Sequence, residues 1–102
     1  MPRVRQAARV DSNQREIVKT IISLGASWLD LTSISGILDG VIGVNGIDQR
    51  VEIKDGAKFP SERRLTPNEK REFEEWRGRK PVVVESVDDV IKLVNLLRRE
   101  KR

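Results

Sequence analysis

Three residues carry the types and spacing that best suit chemistry: Asp39, Glu52 and Lys54. Two carboxylates brought close repel each other and raise each other's pKa unless a cation sits between them. Mg²⁺ or Mn²⁺ fits such a pair, being hard, oxygen-seeking and commonly held by one or two carboxylates with water and phosphate. The backbone carbonyl of Ile53, between Glu52 and Lys54, is a further candidate oxygen. A metal held there polarises a phosphodiester and lowers the pKa of a bound water. Lys54 would orient that water or stabilise charge building on the phosphate. Taken singly, each residue has a plainer reading. Asp39-Gly40 makes an ordinary turn, and Glu52 with Lys54 makes a solvated ion pair on one strand face.

The rest of the composition narrows the chemistry. The 102 residues contain no cysteine, histidine or tyrosine, which excludes disulfides, thiolate or histidine metal sites and a histidine general base. The length suits one domain. Lys+Arg is 20 against Asp+Glu at 16, a net charge of +4, which permits a polyanionic partner. No apolar stretch approaches the roughly 20 residues that span a bilayer, and no apolar signal core follows the basic N-terminus. No membrane association and a cytoplasmic location are expected.

The pair must be positioned by strands. Leu38–Val44 and Gly46–Lys54 read as a hairpin joined at Asn45-Gly46, a strong turn signal. Strand alternation puts Glu52 and Lys54 on one face. Ahead of the hairpin, residues 11–24 repeat apolar side chains at helical spacing through Ile17, Ile21 and Leu24, stopped by Gly25, and Ala26–Leu31 reads as a strand. After it, residues 55–65 form a loop. Thr66-Pro67-Asn68-Glu69 is a capping-box helix start. Val82-Val83-Val84 reads as a short buried strand, and Ser86 caps a last helix. The order α-β-β-β-α-β-α predicts an α/β domain with a mixed sheet over residues 11–98, between a basic arm (residues 1–10) and a basic tail (residues 99–102).

Leu38-Asp39-Gly40-Val41-Ile42-Gly43 followed by Val51-Glu52-Ile53-Lys54-Asp55-Gly56 resembles the PD-(D/E)XK nuclease superfamily, and more closely its small phage and bacterial VRR-NUC domains. The resemblance spans about Asp11 to Val94. It implies a restriction-endonuclease-like fold and a Mg²⁺- or Mn²⁺-dependent DNA endonuclease. It implies Glu16 of the first helix as a third metal ligand beside Asp39 and Glu52, with Lys54 catalytic. Standalone members resemble homodimeric Holliday-junction resolvases, so a four-way junction is the expected substrate, with flaps or single strands as the alternative. Leu38 replaces a usual proline, and Glu69 or Lys70 stands where a glutamine is common. On residue chemistry alone, Glu16 also suits a capping box with Asn13.

Lys58, Arg63, Arg64, Arg79 and Lys80 are the candidate DNA contacts. The rival class is a non-catalytic DNA-binding accessory module. It accounts for the charge but leaves two acidic residues where phosphate would approach.

Overall fold

The computed structural model describes residues 12–101; the basic arm expected at residues 1–10 lies outside the described residues, as do Asp11 and Arg102. The described chain folds as α1 (Gln14–Ser23), β1 (Ser27–Asp30), β2 (Gly40–Val44), β3 (Ile47–Ile53), α2 (Pro67–Glu75), β4 (Val82–Val84) and α3 (Val87–Arg99). A 3₁₀ turn, Pro60–Glu62, interrupts the loop before α2. This is the expected element order. The strands form one mixed sheet, β1-β2-β3-β4, antiparallel except for the parallel β3–β4 pair.

Asn45 and Gly46 both take positive φ, 57° and 72°, and form the two-residue turn between Val44 and Ile47. That twist matches the right-handed twist of the flanking strands. The Asn45 side chain also donates from Nδ2 to the carbonyls of Leu97 at 3.0 Å and Glu100 at 2.9 Å. One residue thus makes the hairpin and satisfies open carbonyls at the C-terminus of α3.

Alternate residues of β3 face opposite ways. Ile47, Val51 and Ile53 join Ile42 and Val84 against Ile17, Ile21, Val90, Val94 and Leu97 of the two long helices. Each such side chain stabilises the fold by about 1.5–3 kcal/mol over its exposed state. Gly40 keeps this face closed: a side chain there would collide with the Leu29 carbonyl and the Trp28 ring.

Arg50 and Glu52 point the other way, toward α2. That helix has no buried residue. Its contacts are polar. Arg50 pairs with Glu72 and lies 4.2 Å over the Trp76 ring. Lys80 Nζ donates to the carbonyls of Glu74 at 3.2 Å and Trp76 at 3.1 Å. The expected capping box is present, with Glu69 N donating to Thr66 Oγ1 and Thr66 N donating to Glu69 Oε1.

Two strand readings need correction. Asp39 stands just ahead of β2 rather than inside it, because pairing with β3 starts at Gly40↔Val51. The expected buried strand, β4, is an edge strand: it pairs only with β3 and leaves Val83 36 % exposed. Among the described residues, no helix is long and apolar enough to cross a membrane.

Candidate active site

The β2–β3 register puts Gly40 opposite Val51, which carries Asp39 on toward Glu52 on the α2 face. Asp39 is tied there by its side chain: Oδ2 accepts the backbone N–H of Ile53 at 2.7 Å. Glu52 is 4 % exposed, and its Oε2 lies 3.5 Å from Lys54 Nζ. Lys54, just beyond β3, is also buried, and its Nζ donates to Glu69 Oε1 at 2.9 Å. The three residues singled out by type and spacing therefore meet in one place.

Glu69 completes the group. It stands where the resembled family often carries a glutamine, and it faces the site while Lys70 is exposed. The reason is local: the capping box that starts α2 turns Glu69 back toward Thr66, and Lys54 meets the same oxygen.

The electrostatics follow from crowding three acids around one ammonium. Burial, then a hydrogen bond to Glu69, then repulsion from Asp39 and Glu69 push the Glu52 carboxyl up from 4.5 to about 9, with Lys54 pulling the other way. Burial also acts to raise Glu69, but hydrogen bonds from Glu52, Thr66 N and Lys54 outweigh it and hold Glu69 below its ordinary value. The balance favours the protonated form of Glu52 and the ionised form of Glu69. Glu52 Oε1 remains buried with no hydrogen-bond donor.

Glu16 does not join them. It is exposed and lines a groove with Asp55, Glu85, Asp88 and Asp89. The acids that act on Glu52 are Asp39 and Glu69. Among the described residues, no group of three acidic side chains is placed to hold a metal ion. Nor does Glu16 close a capping box, because the Asn13 side chain makes no cap bond. Asn13 Nδ2 donates instead to the Lys54 carbonyl at 3.2 Å and the Glu85 carbonyl at 3.1 Å, pinning the start of α1 to the ends of β3 and β4. The next residue, Gln14, is 5 % exposed, and its Oε1 has no partner. The sequence reading did not single out this buried polar residue of α1. The signal was the helical period, which groups Gln14 with Ile17 and Ile21 on the buried face and leaves Glu16 outside.

The candidate DNA contacts divide. Arg63 donates from Nη1 to Glu85 Oε1 at 3.0 Å and from Nε to the Lys58 carbonyl at 2.9 Å. Arg79 is bidentate to Glu100, and Lys80 caps α2. These three are engaged in holding the fold. Arg64 is exposed, and Lys58 is exposed with its charge acting on Asp55.

No protein-family model matches this chain, and neither a curated protein nor a solved structure matches it.

Proposed function

We propose that this chain is a Mg²⁺- or Mn²⁺-dependent endonuclease of the PD-(D/E)XK kind, acting on branched DNA, with a four-way junction as its first candidate substrate. The observation that carries the reading is the meeting of Asp39, Glu52 and Lys54 on the α2 face of the sheet, with a Glu52 oxygen buried and without a donor.

The donor set fits a hard cation. Buried acceptors without donors are costly and rare, and Glu52 Oε1 is one. Glu52 would hold such an ion as its ionised carboxylate. Asp39, Glu52 and the Ile53 carbonyl would hold the ion. When bound, the metal supplies Lewis acidity toward the phosphodiester and a more acidic water. The chain supplies the rest. The Ile53 N–H orients Asp39. Lys54 places a fixed positive charge where negative charge builds on the phosphate. Glu69 holds that ammonium in place, and the α2 capping box holds Glu69.

A homodimer belongs to this reading, since a four-way junction is resolved by two symmetric cuts. Sedimentation is its test: a species of 11.7 kDa alone at micromolar concentration would remove it.

The deciding assay presents labelled four-way junction, flap, single-stranded and linear duplex DNA with Mg²⁺ or Mn²⁺, beside an Asp39→Asn control. Symmetric junction cleavage that falls about 10³-fold in the control is expected, on the scale of losing an electrostatic stabiliser at a reacting centre. Flap or single-strand cleavage alone changes the substrate and keeps the chemistry. Tight DNA binding without cleavage in either metal moves the assignment to a DNA-binding module.

A further inference from the structure

Phe59 is the most exposed large apolar side chain among the described residues, at 75 %. It stands on the loop between Lys54 and Glu69, whose two ends meet in the ion pair of the candidate site. The loop is built to hold it out. Ala57 N donates to Asp55 Oδ1 at 2.9 Å, and Lys58 N donates to the Asp55 carbonyl at 3.1 Å. Beyond the ring, Glu62 N donates to the Phe59 carbonyl at 2.8 Å and opens the 3₁₀ turn. Gly56 N and the Arg63 guanidinium both fasten the loop to Glu85. Backbone bonds on both sides shape this loop, and the ring lies in water.

We propose that Phe59 is a base-stacking contact for unpaired nucleotides at a DNA branch. The inference rests on the nuclease reading above and names the feature of the substrate that the site engages. Lys58, next to Phe59, and Arg64, beyond the 3₁₀ turn, are exposed cations of the same loop, suited to the phosphates beside a stacked base. In linear duplex, base faces are covered by their neighbours, and a ring on a short loop reaches them only where stacking is open. Phe59 therefore discriminates branched or single-stranded DNA from plain duplex.

The test uses the full chain with Ca²⁺ in place of Mg²⁺, so that binding is read without cleavage. The DNAs are a flap and a four-way junction, each with 2-aminopurine at the branch, and a linear duplex of equal length. Phe59→Ala is expected to lose about tenfold in affinity for flap and junction, within the range of one base–aromatic stack. It is also expected to lose the 2-aminopurine response and to keep its duplex affinity. Phe59→Trp retains both responses, and Leu96→Ala, which removes an exposed apolar side chain on α3, behaves as wild type. Unchanged junction binding in Phe59→Ala, or an equal loss on all three DNAs, overturns the inference. So does a dimer that dissociates in Phe59→Ala with DNA affinity per protomer unchanged, which would make the ring a protein contact. If the wild type cleaves nothing in Mg²⁺ or Mn²⁺ while the Phe59-dependent response persists, the nuclease reading fails and this contact stands.

Discussion

The two faces of β3 are built on opposite principles. Toward α1 and α3, Val51 and Ile53 are sealed among aliphatic side chains. Toward α2, Glu52 is buried to nearly the same degree among charges that only partly offset one another. The apolar face stabilises the molecule. The polar face costs stability, since a buried carboxyl without full compensation is unfavourable. Neighbouring residues on one strand are therefore held on different terms, and the proposed site lies on the polar face.

Its largest test is on activity. Glu52→Gln is expected to abolish cleavage while raising the stability of the metal-free protein at pH 8, by roughly 5 °C in Tm, because the amide keeps the shape without the ionisation penalty. A fall in both would show that Glu52 is structural. Ile53→Ala, one residue on, is expected to lose about 2–5 kcal/mol by cavity formation, read as a fall in denaturation midpoint. A small loss there would break the contrast.

Lys54→Ala is expected to lower turnover about 10²-fold with junction affinity within a few-fold of wild type. Equal loss of both would make Lys54 a binding residue.

The pH dependence follows from Glu52. Below about pH 4.5 both folded and unfolded chains carry its proton, and its contribution is fully present. As pH rises toward about 9, the unfolded chain ionises while the folded one holds the proton, so stability falls across that window. Thermal melts without metal should show this decline, and Mg²⁺ or Mn²⁺ should reverse it more at pH 8 than at pH 5. A flat profile would remove the buried acid from the account.

The smallest effect expected is from Thr66→Ala, about 1 kcal/mol through loss of the α2 cap. Turnover should fall with it, because Glu69 both closes the capping box and holds Lys54. A loss of stability with full turnover would separate the cap from the site.

Local rules were legible in the chain. The Asn45-Gly46 turn, the Thr66–Glu69 capping box and the alternation of Glu52 with Ile53 depend on neighbours a few residues apart, and the structure has all three. The meeting of Asp39 with Glu52 was also readable, because a two-residue hairpin turn sets the register between its strands. Other choices depended on long-range packing. Gln14 is buried and Glu16 exposed because of how α1 rolls against α3 and the sheet, a rotation that capping patterns do not report. Arg63 and Arg79 are spent on carboxylates more than 20 residues away, where composition shows only a basic surplus. The sequence by itself determined the elements and the residues able to do chemistry, since propensity, capping and alternation act over a few bonds. Which of those residues face one another, and at what cost in buried charge, only the tertiary structure decided, because burial and charge coupling belong to the packed molecule.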